Sequence, residues 1–339
     1  MNIWGEKMLI VLKKGASKDN IDRLQQLLLS FDLDFTLWQD DSRYFCGLSR
    51  TPDLEVREKI SNLSFVHKIA GNSPSPAISL QMQEIKLQDR IISRDNFTVI
   101  AGPCTIDDRD TLRDTAKSLK DLGVGFLRGG AYKLRSSPHS YQGLGEKALS
   151  LLKETCEEFG LLSVSEIIAL EDLEKMQQYV DILIIGTRNM QNYPLLSALG
   201  KTKIPVILKR GMANTIKEWI LAAEYIAKEG NRNIILCERG IRTFENYTRN
   251  TLDISAVPVS KELTPYPVIV DPSHSSGRRE LVKPLAWAAA AAGADGVIIE
   301  CHTNPRKAKC DARQTISIET MQDIIEKLPE LTGIWRKTF

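Results

Sequence analysis

Three residues stand just beyond apolar runs and share one chemistry. Cys104 follows the run 97–101, His274 follows 267–270, and Glu300 follows 296–299. A thiolate, an imidazole and a carboxylate suit a divalent transition metal such as Mn, Fe, Co or Zn. Asp311, in the segment after Glu300, reaches the same point and completes a four-ligand set. Two carboxylates and a thiolate at one point repel unless a cation holds them. Taken alone, Cys104 reads as a buried structural cysteine, since cysteine is among the most buried residue types. His302 is an alternative ligand, because strand alternation puts it on the side of Glu300.

A second set is cationic. Arg128, Lys133, Arg135, Arg188, Lys209, Arg210, Arg239 and Arg242 all follow apolar runs. Gathering several of them is costly unless anions neutralise them. Phosphates and carboxylates suit arginine forks and lysine point charges. The expected substrates are therefore small polyanions, phosphorylated ones above all. The competing reading pairs these cations with Glu166, Glu238 and Asp271.

One architecture places both sets together. Eight β-rich apolar runs (97–101, 124–127, 161–164, 182–185, 205–208, 234–237, 267–270 and 296–299) alternate with helical segments such as 109–121, 145–159, 215–229 and 279–292. Near-continuous apolar strands alternating with helices indicate a parallel sheet covered on both faces. Eight such units favour a closed (βα)8 TIM barrel, whose strand C-termini share one rim. The first and eighth strands are then neighbours, so Cys104 and Glu300 can meet.

Residues 1–72 have another rhythm. A strand at 8–13, a helix at 18–31, a hairpin from 34–38 and 44–48, a helix at 54–62 and a strand at 64–69 give β-α-β-β-α-β, the ferredoxin-like α+β order. Gly71-Asn72-Ser73-Pro74-Ser75-Pro76 reads as a breaker. The expected division is 1–72, a linker at 73–95 and a barrel at 96–339.

Bulk properties exclude other classes. The chain has 339 residues, 42% hydrophobic and 26% charged, with a formal net charge of +2. That balance does not suggest nucleic-acid binding. No apolar stretch approaches a membrane span, and the first residues do not read as a signal peptide. Six scattered cysteines without a C-x-x-C pair point to a reducing cytoplasm rather than a disulfide framework. Gly143-Leu144-Gly145-Glu146-Lys147-Ala148 matches G-x-G-x-x-A, yet no strand precedes it, so a dinucleotide site is rejected.

Taken together, the motifs resemble those of 3-deoxy-D-arabino-heptulosonate 7-phosphate (DAHP) synthases of the microbial type with a ferredoxin-like N-terminal domain. The matching stretches are Ile100-Ala101-Gly102-Pro103-Cys104, Leu127-Arg128-Gly129-Gly130-Ala131-Tyr132-Lys133 and Gln142-Gly143-Leu144-Gly145-Glu146. They continue with Ile185-Gly186-Thr187-Arg188-Asn189, Leu208-Lys209-Arg210-Gly211, Cys237-Glu238-Arg239-Gly240-Ile241-Arg242-Thr243, Asp271-Pro272-Ser273-His274-Ser275 and Glu300.

The resemblance implies condensation of phosphoenolpyruvate (PEP) with erythrose 4-phosphate, the first step of the shikimate pathway. It implies Cys104, His274, Glu300 and Asp311 as metal ligands. Arg128, Lys133, Arg188, Lys209 and Arg239 would hold PEP, with Glu166 near the attacking water. Lys133, Arg135 and Ser136 would meet the aldose phosphate, and Lys133 would bridge both substrates. The family's usual Lys-Pro-Arg-Thr-Ser-Pro is Lys133-Leu134-Arg135-Ser136-Ser137-Pro138 here. Leu134 for proline adds an N–H and loosens the backbone.

Two rivals are a synthase of the 3-deoxy-octulosonate 8-phosphate kind, using another aldose phosphate, and a non-catalytic regulatory barrel. For the N-terminal domain the resemblance suggests an aromatic amino-acid effector site. The alternative is a role in assembling a dimer or tetramer.

Overall fold

The computed structural model describes residues 8–40, 43–71, 84–133, 139 and 141–338. The chain divides into two compact units, 1–81 and 82–339.

In the first unit, strands β1 (Met8–Leu12), β2 (Phe35–Asp40), β3 (Arg43–Leu48) and β4 (Val66–Gly71) form an antiparallel sheet in the order β2-β3-β1-β4. Helices α1 (Lys18–Ser30) and α2 (Leu54–Ser61) complete the β-α-β-β-α-β order. A capping box between Ser17 and Asn20 starts α1. The Asp53 carboxylate accepts from Val56 N and starts α2. Met8, Ile10 and Leu12 alternate onto the face covered by Leu24, Leu28, Val56 and Ile60, which makes this unit's core.

The second unit opens with a short hairpin, β5 (Ile85–Leu87) and β6 (Arg90–Ile92). These residues fall inside the linker expected at 73–95, which is corrected here. Ile85 and Ile92 are buried in one cluster with Phe126, Leu162 and Ile182, at the starts of barrel strands. The hairpin therefore closes the N-terminal end of the barrel.

Eight parallel strands follow: β7 (Thr98–Gly102), β8 (Phe126–Arg128), β9 (Leu162–Ile167), β10 (Ile182–Ile185), β11 (Val206–Lys209), β12 (Ile234–Glu238), β13 (Val268–Val270) and β14 (Gly296–Glu300). They make a closed barrel in sequence order, with β14 paired to β7. The helical layer comprises α3 (Arg109–Asp121), α4 (Glu146–Phe159), α5 (Leu173–Met176), α6 (Tyr193–Gly200), α7 (Ile216–Lys228), α8 (Ala256–Leu263), α9 (Pro272–Ser276), α10 (Arg279–Ala291) and α11 (Ile318–Thr338). No helix is long and apolar enough to cross a membrane among the described residues.

The inward parity of each strand decides what reaches the rim. Phe126, Val164, Ile207, Cys237, Ile269 and Ile298 fill the barrel interior. Two residues further along each strand line stand Arg128, Glu166, Lys209, Arg239, Asp271 and Glu300. The period of two thus carries all six onto the inner side of the C-terminal mouth. Arg210 and Glu238 have the opposite parity, and they pair with each other at 2.9 Å.

Candidate active site

Barrel closure builds the first corner. The β14–β7 register sets Glu300 opposite Gly102, two residues before Cys104. The segment after β14 then doubles back: His302 N donates to Ile316 O, and Ile316 N donates to Glu300 O. This turn returns Asp311 to the rim, with φ at +53°. Cys104 Sγ lies 3.4 Å from Asp311 Oδ2. His274 Nε2 lies 3.2 Å from Glu300 Oε1 and 4.0 Å from Asp311 Oδ2.

The ligand atoms of His274, Glu300 and Asp311 all fall within 4.8 Å of one another, as do those of Cys104, Cys310 and Asp311. In a tetrahedral shell with bonds near 2.0–2.1 Å, neighbouring donor atoms lie about 3.3 Å apart. The Cys104–Asp311 and His274–Glu300 spacings match that edge, His274–Asp311 is wider, and the two groups meet at Asp311, their shared member. The donor set, one sulfur, one imidazole nitrogen and two carboxylates, fits a borderline divalent ion. Cys310 joins the corner without having been expected there. His302 does not: its Nδ1 accepts from Asn304 N at 2.8 Å, and it belongs to neither group.

The second corner is the cationic pocket. Arg128, Lys133, Lys209 and Arg239 are all buried, at 4%, 9%, 6% and 4% exposure. Arg128 Nη1 meets Glu300 Oε1 at 3.2 Å, and Lys209 Nζ meets Asp271 Oδ2 at 2.5 Å. The pairing with Asp271 matches the competing reading for Lys209, as Arg210 with Glu238 does, whereas Arg128 meets Glu300 instead and its Nε has no partner among the described residues. Among the described residues, Arg239 donates to carbonyl oxygens, of Gly240 at 3.3 Å and His274 at 3.1 Å. Among the described residues, neither Arg239 nor Lys133 has a carboxylate within ion-pair distance. Lys133 still has anionic neighbours beyond that distance, whereas burial lowers the Arg239 pKa, and a buried charge with no direct counter-charge costs several kcal/mol. An anionic ligand is the physical remedy.

Two further features set the pocket. Lys133 N donates to Gln142 O, and Gly145 N donates to Ala131 O, so the 141–145 loop holds the lysine's backbone. Gly143, with φ at +95°, lies so close that a Cβ would sit 2.1 Å from Ala131 O. Glu166 packs against Gly186, where an added Cβ would sit 2.0 Å from Oε1. Arg188 is exposed on the 3-10 turn Thr187–Asn189. Arg210 is bound to Glu238 and Asp253, outside the pocket. Arg135, Ser136 and Leu134 lie outside the described residues.

Charge states follow from the contacts. Burial works against the Glu300 carboxylate, but His274, Arg128 and Lys133 outweigh it and hold its pKa at about 2. Asp271 is held well below the usual carboxylate range: burial opposes this, and His274 and Lys209 prevail. Burial lowers the His274 imidazole despite Asp271 and Glu300, which favours the neutral ring a metal needs. The hydrogen bond with Cys310, burial and Glu300 push the Cys104 thiol well up. A cation at this corner would reverse that shift. Burial opposes the Lys133 charge, yet Cys104, Glu166 and Glu300 keep it firmly protonated.

Comparison with known proteins now bears on this geometry. The profile of the DAHP synthetase I family matches residues 78–335. The chain belongs to the DAHP synthetase I family. A Phospho-2-dehydro-3-deoxyheptonate aldolase of Thermotoga maritima is 44% identical over 329 residues, 96% of this chain and 97% of that protein. The crystal structure of that organism's Phospho-2-dehydro-3-deoxyheptonate aldolase (DAHP synthase) aligns with a TM-score of 0.76, covering 97% of this chain and 98% of its own. A 2-dehydro-3-deoxyphosphooctonate aldolase of Syntrophobacter fumaroxidans is more distant, 30% identical over 76% of this chain and 95% of its own. The matched span 78–335 contains the whole eight-stranded barrel and both corners.

Sequence reasoning missed four residues of this site. Asp271, assigned only as a possible counter-charge, caps α9 and holds both Lys209 and His274. Cys310, Gln314 and Arg249 lie in segments without periodicity. The one available signal for Gln314 was its place three residues after Asp311.

Proposed function

We propose that this protein condenses PEP with erythrose 4-phosphate and water to give DAHP and inorganic phosphate, the first step of aromatic amino-acid synthesis. The observation that carries the reading is the burial of Arg239 and Lys133 with no carboxylate in ion-pair distance among the described residues, beside the groups His274–Glu300–Asp311 and Cys104–Cys310–Asp311 that share Asp311. A doubly anionic substrate answers the first feature, and an aldehyde in need of polarising answers the second.

In this reading Arg128, Lys209, Arg239 and Arg188 bind the PEP carboxylate and phosphate by charge-assisted bonds. Cys104, His274, Glu300 and Asp311 hold a divalent cation, of the Mn, Fe, Co or Zn kind. When bound, it supplies Lewis-acid polarisation of the aldehyde oxygen. C3 of PEP attacks the aldehyde carbon, and the new C–C bond leaves positive character at C2. Lys133, charged and between the corners, delivers a proton to the aldehyde oxygen. Glu166 orients the water that captures C2. The C2–O bond to phosphate then breaks with the electron pair leaving on phosphate, and the water oxygen becomes the ketone as it loses its two protons, one restoring the charge of Lys133 and the other leaving on phosphate. Lys133, Arg135 and Ser136 bind the aldose phosphate.

The N-terminal unit has its own core and is assigned an aromatic amino-acid effector site within a homo-oligomer, a dimer or tetramer. Six free, buried cysteines accord with a reducing cytoplasm.

A steady-state assay of phosphate release tests the reading. PEP is offered with erythrose 4-phosphate or arabinose 5-phosphate, with and without chelator, tyrosine or phenylalanine. Erythrose-dependent release abolished by chelator is expected. Faster turnover with arabinose 5-phosphate would reassign the chain to the octulosonate reaction. Absence of turnover with either aldose would leave a non-catalytic barrel.

A further inference from the structure

Glu300 presents its two oxygens to different tasks. Oε1 faces His274 Nε2 and Arg128 Nη1, each at 3.2 Å. Oε2 accepts from Gln314 Nε2 at 2.6 Å, inside the protein. Gln314 is itself 3% exposed. Its carboxamide oxygen accepts from Arg249 Nη1 at 3.3 Å. The same Arg249 nitrogen lies 3.8 Å from Asp311 Oδ1, and Gln314 N donates to Asp311 O at 3.1 Å.

A carboxamide has a donor end and an acceptor end. Turned around, Gln314 would set its oxygen against Glu300 Oε2, acceptor against acceptor, and its NH2 against a guanidinium. Arg249 therefore dictates which end reaches Glu300. The carboxylate is then pinned through Oε2, with Oε1 left toward His274. Outer groups of this kind orient ligands and raise affinity in metal sites generally.

We propose that Gln314 is a positioning residue that fixes Glu300 for a divalent cation, and that Arg249 acts through it by setting the direction of its amide. This rests on the metal-dependent reading above and deepens it. Neither side chain touches the cation or the reacting atoms. Their contribution is the preset orientation of one ligand, linked through Arg249 to a second, Asp311.

The test is a Co2+ titration of the metal-free full-length protein, followed by visible absorption. Gln314→Leu is expected to weaken Co2+ binding by roughly 10- to 100-fold. Arg249→Ala is expected to weaken it less, Arg249→Lys to restore part of that loss, and the double variant to match Gln314→Leu alone. Thermal midpoints of the metal-free proteins show whether the variants fold, and Arg249, at the rim, is the safer of the two. Co2+ binding within twofold of the parent in both single variants would overturn the proposal. So would losses that multiply in the double variant. A parent protein that binds no Co2+ would instead sink the metal-dependent reading itself.

Discussion

The Asp271 carboxylate grips the His274 ring at Nδ1, 2.7 Å away, and thereby turns Nε2 toward Glu300. The same oxygen receives Lys209 Nζ. One buried acid thus ties His274, a proposed metal ligand, to Lys209, a proposed anion-binding cation. Asp271→Ala should lower Co2+ affinity by about 10- to 100-fold and also raise the KM for PEP. Loss of the first without the second, measured by titration and by kinetics, would separate the two corners.

Acid should destabilise the protein in a defined window. Glu300 has a folded pKa of about 2, below its ordinary value of 4.5. Its contribution is full above the unfolded pKa and disappears as pH falls from about 4.5 toward 2. Asp271 is depressed in the same sense. Thermal midpoints of the metal-free protein should fall steeply across that window. Glu300→Gln should fall less steeply, and an equal slope would count against the assignment.

Lys133→Met should reduce kcat by about 100-fold or more while leaving the fold intact, the range expected of a positioned proton donor. Near-normal turnover would remove Lys133 from proton delivery. Arg239→Ala should act chiefly on KM for PEP, because it removes an anchor present before and during reaction.

Gly186→Ala places a methyl group where Glu166 Oε1 now lies. The carboxylate must move, and a shift near 1 Å can cost about 100-fold in rate. We expect kcat to fall with little change in PEP binding, read by isothermal titration of PEP beside steady-state kinetics.

Chelation followed by Co2+ return should abolish and then restore phosphate release, and Cys104→Ser should resist restoration. A Cys104→Ser protein that recovers in full would remove the thiolate from the donor set.

Much of this was legible because strand geometry is periodic. The alternation that buries Ile298 also aims Glu300, and the one that buries Ile207 aims Lys209. Eight apolar runs implied closure, and closure put Cys104 near Glu300. Arg210 was grouped with the pocket cations from its neighbourhood alone. Parity turns it outward to Glu238 and Asp253. The hairpin at 85–92 stayed hidden because three-residue strands are too short to display alternation. Gln314 and Arg249 stayed hidden because their partner is set by the path of a loop, which no local pattern encodes.

The pairing of β14 with β7 joins the last barrel strand to the first. Cys104 and Glu300 therefore come together only after nearly the whole barrel sequence has been threaded between them. Such a contact closes a long loop, which carries a large entropic cost. A nascent chain lacking its final strand holds Cys104 but not Glu300, so it offers no complete binding site. If a cation binds there as proposed, it would by mass action favour the closed barrel over any unzipped form.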